Sequence, residues 1–81
     1  MQYVKWEYTT TGDLKPCWQL MVGHNEPRRS AATVWLTGVW HTWDENGVGG
    51  ENSAEWTRAG KPDVNRAKIE AAAAAIAQGF I

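Results

Sequence analysis

The run from Ala31 to Trp43, AATVWLTGVWHTW, holds three of the chain's six tryptophans and constrains the fold more than any other stretch. It reads as a β-hairpin, because two arms rich in β-branched and aromatic residues meet at Thr37-Gly38, where glycine supplies the positive φ of a tight turn. Alternation then sorts the side chains. On the first arm Ala32, Val34 and Leu36 are expected on one face and Ala31, Thr33 and Trp35 on the other; on the second, Val39, His41 and Trp43 oppose Trp40 and Thr42. Large rings therefore fall on both faces. A chain of 81 residues has too little left to cover both, so indole surface is expected to stay accessible on one of them.

The remaining segments supply partners for this hairpin. Gln2 to Tyr8 alternates, with Val4, Trp6 and Tyr8 opposing Tyr3, Lys5 and Glu7, and reads as the first strand. The turn formers Gly12, Asp13 and Pro16 reverse the chain. Cys17 to Val22 is then a second, antiparallel strand, with Trp18, Leu20 and Val22 opposite Cys17, Gln19 and Met21. Gly23 to Ser30 is a polar surface loop that carries the paired arginines Arg28 and Arg29. After Trp43, the stretch DENGVGGENS is too rich in glycine and short polar groups to promise regular structure. Ala54 to Thr57 is expected to return as a short strand that gives Trp56 cover.

Asp63 opens a helix from Val64 to Gln78 by capping its first turn, and Gly79 ends it. Ile69, Ala72, Ala73, Ile76 and Phe80 form one apolar stripe expected to face the sheet, and Arg66 and Glu70 are one turn apart. Small helix side chains would answer large rings on the sheet. Phe80 and Ile81 are expected to dock on the domain or on another chain. The fold class that follows is α+β: a single domain over residues 1–81, a two-layer sandwich of about four antiparallel strands with one C-terminal helix on one face.

Charge says little about partners. Eight Lys and Arg against nine Asp and Glu give a net charge of −1, which provides no global attraction to nucleic acid or an anionic membrane. No segment reaches the roughly 20 apolar residues of a membrane span, and MQYVKWEY lacks the pattern of a secretory signal. The lone Cys17 rules out an internal disulfide and leaves a bridged dimer as its one covalent option. The chain reads as cytoplasmic.

Motifs for chemistry fail one by one. His24, His41, Cys17, Asp44, Glu45 and Glu51 lack zinc-ligand spacing. In Asp44-Glu45-Asn46-Gly47 the glycine stands fourth, where a calcium loop needs it sixth. Gly47-Val48-Gly49-Gly50 has no phosphate-binding lysine and opens into no helix. No nucleophile has a base beside it. The expectation is therefore a protein without cofactor, metal or catalytic centre.

Two recognition modes suit an aromatic sheet face. Trp35, Trp43 and Trp18 would stack unpaired bases in a single-stranded nucleic-acid binder, helped by Arg28, Arg29 and Lys15. The neutral balance and the acidic loop beside Trp43 oppose that mode, since phosphate contacts supply most non-specific affinity. Protein binding fits better, because tryptophan and arginine dominate the energetic centres of interfaces. Its candidate contacts are Trp35, Trp43, Arg28, Arg29, Asp44 and Glu45. A homodimer joined through edge strands is a third reading.

The pattern A-x-V-W-x-x-G-x-W-x-x-W (Ala32, Val34, Trp35, Gly38, Trp40, Trp43), followed by a glycine-rich loop and a helix with A-K-x-E-A (Ala67, Lys68, Glu70, Ala71), resembles small accessory proteins of bacteriophages and prophages. The resemblance spans about the last fifty residues. It implies a non-enzymatic protein, anti-CRISPR-like, that binds and masks a bacterial host or defence protein in the host cytoplasm, and it carries over no binding residue. Many inhibitors that mimic DNA are strongly acidic, and this chain is not.

Overall fold

Alternating segments as short as these gain stability only by pairing, and the computed structural model, which describes residues 3–25 and 27–81, pairs them in sequence order. Strands β1 (Val4–Thr10), β2 (Pro16–Val22), β3 (Arg29–Trp35), β4 (Trp40–Trp43) and β5 (Gly49–Asn52) form one antiparallel sheet in the order β1-β2-β3-β4-β5. Strands β6 (Thr57–Arg58) and β7 (Lys61–Pro62) form a separate small hairpin, and α1 spans Val64–Ala77. The architecture is the α+β sandwich read from the sequence, with five main-sheet strands in place of four. Gln2, placed in the first strand by its pattern, lies outside the described residues.

The extra strand comes from the glycine-rich stretch. Gly47 N–H donates to Asp44 O at 3.0 Å, and Asp44 N–H donates to Val48 O at 2.9 Å, with Gly47 at φ +78°. Asp44 Oδ1 also accepts from the backbone N–H groups of Asn46 and Val48. These bonds satisfy the turn locally and deliver Gly49–Asn52 to the edge of β4. The central hairpin turns the same way: Gly38 N–H donates to Trp35 O, Trp35 N–H donates to Val39 O, and Gly38 sits at φ +88°. Each is a three-residue hairpin loop closed by a left-handed glycine.

Trp56 finds cover without joining the main sheet. The expected strand at Ala54 to Thr57 forms only from Thr57 and pairs within the small hairpin, whose turn is Ala59-Gly60 at φ +53° and +77°. Trp56 N–H instead donates to Gly38 O at 3.1 Å, and its carbonyl accepts from Asp63 N–H at 2.8 Å. A Cβ on Gly38 would fall 2.3 Å from the Trp56 carbonyl oxygen, so this position needs glycine for room as well as for φ. Asp63 caps α1 as expected, accepting from Arg66 N–H at 3.0 Å, and Arg66 pairs with Glu70 at 2.8 Å.

The helix lies on β3 and β4, with Ala67, Ala71 and Ala74 packed against Leu20, Ala32, Val34 and Trp40. Ala75 joins Val22 and Ala31. The isoleucine stripe expected inside therefore faces out, with Ile69 and Ile76 63% and 62% exposed. The rings supply the bulk from the sheet side, so the helix approaches on its alanine face, which leaves no room for β-branched side chains. Trp40 is 6% exposed, and burying an indole removes roughly 150–250 Å² at roughly 25 cal/mol per Å², about 4–6 kcal/mol before chain entropy is counted. A bulge produces the second departure. Leu20 pairs with Ala32 but Met21 pairs with Ser30, leaving Ala31 unpaired and buried on the helix side, away from Thr33 and Trp35. Phe80 and Ile81 dock on the core, with Phe80 N–H donating to Ala75 O at 2.8 Å.

Candidate binding face

Because α1 takes the face that carries Leu20, Val34 and Trp40, the opposite face of the sheet carries Gln19, Thr33, Trp35, His41 and Trp43. The two groups of tryptophans separate accordingly. Trp6, Trp18 and Trp56 pack beside the helix core, whereas Trp35 and Trp43 stand half-buried on the open face. Trp18, expected to join them in stacking, is held on the other side, where the Lys68 ammonium lies 3.4 Å from its ring centroid. Desolvation holds the Lys68 pKa below its ordinary value.

A hydrogen-bonded chain fixes the open face. Trp43 Nε1–H donates to Thr33 Oγ1 at 2.9 Å, Thr33 Oγ1 donates to Gln19 Oε1 at 2.6 Å, and Ser30 Oγ reaches the same Gln19 oxygen at 2.5 Å. Gln19 Nε2 in turn donates to Cys17 Sγ at 3.7 Å. Trp43 is stacked on His41, with ring centroids 4.4 Å apart. Gly49 admits that imidazole, since a Cβ there would fall 2.4 Å from His41 Nε2. With its N–H engaged and one face stacked, the Trp43 indole is presented in one orientation, so binding costs it little rotamer entropy.

Around these rings is a shallow groove of about 390 Å³, lined by Thr11, Gln19, Thr33, Trp35, Trp43 and, at its rim, Arg29, Asp44 and Glu45. Five of the six residues singled out from the sequence are thus brought together. Arg28 is the exception: it forms a two-pronged ion pair with Glu7 on β1, through Nη1 to Oε2 and through Nη2 to Oε1, the latter at 3.1 Å. That pairing, chiefly its hydrogen bond, holds the Glu7 carboxyl below its ordinary value of 4.5. Arg29 is anchored differently. Its Nη2 donates to the Phe80 carbonyl, while Nη1 is buried without a partner among the described residues.

Gln19, Ser30 and Thr33 are the contributors that sequence reasoning missed. Alternation puts Gln19 on one face of β2 and Thr33 on one face of β3, yet only the register Gln19↔Thr33 shows that these faces coincide. Asp44 spends one oxygen on its own turn, so Glu45 is the freer carboxylate of the pair. Cys17 is fully buried, which removes it from the covalent bridge considered above, and burial raises its thiol pKa. Among the described residues, no group of three or more His, Cys, Asp or Glu is placed to hold a metal, and no helix is long and apolar enough to cross a membrane.

The groove brings together one oriented indole (Trp43), a second half-buried indole (Trp35), a row of hydroxyl and amide groups, one guanidinium and two carboxylates. The chain matches no family model, and neither a curated protein nor a solved structure is significantly similar to it.

Proposed function

We propose that the protein is a non-enzymatic binding module that masks a surface of another protein with the open face of its sheet. The observation that carries this reading is the placement of Trp35 and Trp43, half-buried and uncovered, in one groove with Arg29, Asp44 and Glu45. Two indoles, that of Trp43 pre-oriented, beside charges of both signs match the make-up of energetic centres in protein interfaces. A phosphate backbone is the poorer match, because the groove lining holds two carboxylates and one guanidinium, and that guanidinium is already bound to the Phe80 carbonyl. The partner best supported is a bacterial host or defence protein in the cytoplasm, on the resemblance of the hairpin and helix to small phage-encoded proteins. Its epitope would offer an apolar side chain to the indoles and a basic group to Glu45.

The test is capture from a bacterial lysate with wild type, Trp35→Ala and Trp43→Ala, identification of the retained protein, and titration of the purified pair. At least one substitution is expected to weaken binding by about thirtyfold or more while the circular dichroism spectrum stays native. Unchanged affinity in both folded variants would remove the groove from consideration. Oligonucleotide affinity that falls steeply with salt would instead favour a single-strand binder.

A further inference from the structure

Strand β1 is an edge of the main sheet. Among the described residues it pairs only with β2, and its seven residues VKWEYTT run without proline or bulge. Long regular edges are usually blunted, because their free N–H and C=O groups template pairing with another chain. Here the apolar side chains of the edge are also uncovered: Val4 is 39% and Tyr8 55% exposed, since α1 sits over β3 and β4.

The phase of the free backbone groups follows from two bonds. Gly23 N–H donates to Tyr3 O, and Thr11 N–H donates to Lys15 O. Tyr3, Lys5, Glu7 and Thr9 therefore turn their backbone groups towards β2, and Val4, Trp6, Tyr8 and Thr10 turn theirs outwards. A two-fold axis through Trp6 and perpendicular to the sheet sets Trp6 opposite Trp6 of a second copy and Val4 opposite Tyr8, all with outward groups ready to bond. The same axis sets Lys5 opposite Glu7 in the pairs without backbone bonds, where side chains come closest. Moving the axis one residue either way would put Lys5 against Lys5 or Glu7 against Glu7.

We propose that β1 is the interface of a homodimer, in which two copies join antiparallel about Trp6 into one continuous sheet and Lys5 of each copy lies opposite Glu7 of the other, sharing its carboxylate with the Arg28 of that copy. The helices lie on the same face, over β3 and β4 with only Lys68 reaching the Trp6 ring at 5.8 Å, and both grooves stay open, so the dimer does not depend on the binding role proposed above.

Light scattering over a concentration series up to about 0.5 mM tests it, with Lys5→Glu and Glu7→Lys as charge variants and circular dichroism to check that Glu7→Lys, which also breaks the pair with Arg28, keeps its fold. Wild type is expected to dimerise. Each variant alone, which places like charges opposite each other twice, is expected to weaken the dimer by about tenfold or more, and an equimolar mixture of the two is expected to restore it. A third variant, Tyr8→Pro, removes an outward N–H together with the ring that meets Trp18 edge-on; against a Tyr8→Ala control that loses the ring alone, it is expected to be monomeric with its fold retained. A wild type that is monomeric throughout, charge variants that dimerise as wild type does, folded variants that fail to recover on mixing, or a Tyr8→Pro chain that still dimerises would each overturn the proposal.

Discussion

Thr33 shows how much one side chain decides. A threonine in the middle of β3 is unremarkable in the sequence, yet its hydroxyl accepts from Trp43 and donates to Gln19, joining β4, β3 and β2 on the open face. Thr42 does the same on the other face: its hydroxyl donates to Gln78 Oε1 at 2.7 Å and accepts from Glu51 N–H at 2.7 Å, tying the helix end to β5. Buried polar groups with partners of this kind fix one arrangement of a small core. Cys17 is the opposite case, a thiol with nothing to react with. Because it is fully buried and its pKa is raised by desolvation, it should be modified by a thiol-directed reagent about a hundredfold more slowly in native buffer than in denaturant. Labelling at equal rates in the two would contradict its burial.

For the elements, the helix is the instructive one. Its two isoleucines are its most hydrophobic residues and both face solvent, because the contact surface is chosen by the complement on the sheet. Trp40 and Val34 already fill the interlayer space, so alanine is the side chain that fits. Ala71→Leu is accordingly expected to destabilise by about 1–3 kcal/mol through overpacking, whereas Ile69→Lys and Ile76→Lys should each stay within about 0.5 kcal/mol of wild type. Denaturant titrations of the three variants check this, and a neutral Ala71→Leu would mean that the layers are looser than the buried alanines indicate. The same logic explains why the stretch after Trp43 became a strand. Asp44 caps the turn with two hydrogen bonds, and small residues at Gly49 and Gly50 let β5 lie against His41 and the helix end.

Across the whole molecule, the sheet has one face closed by a helix and one left open, and the charged tie between Glu7 and Arg28 crosses the open face from β1 to the start of β3. Glu7 has a folded pKa below its unfolded one. Its contribution is therefore present above the ordinary carboxylate range and is lost as pH falls through the folded value. The midpoint of thermal unfolding should drop between about pH 5 and pH 3, and Glu7→Gln should drop less over that window. Equal drops would show that the pair adds nothing to stability. The hairpin about Gly38, the first two strands and the capped helix were legible in the sequence because each rests on local alternation, a turn glycine or a cap. The fifth strand was not, since its residues have low intrinsic preference for a strand and are held there by their neighbours.

The sequence by itself determined the first four strands, the helix and the inventory of rings: alternation marks the strands, Asp63 starts the helix, and six indoles exceed what one alanine-lined helix covers. Only the tertiary structure decided which rings are left over. Strand register brings Gln19, Thr33, Trp35 and Trp43 to one face, the bulge at Ala31 adds Ser30 to it, and the side the helix takes depends on the fit between layers. Period-two alternation says which residues share a face of a strand. Which face stays open is a property of packing between segments far apart in the chain.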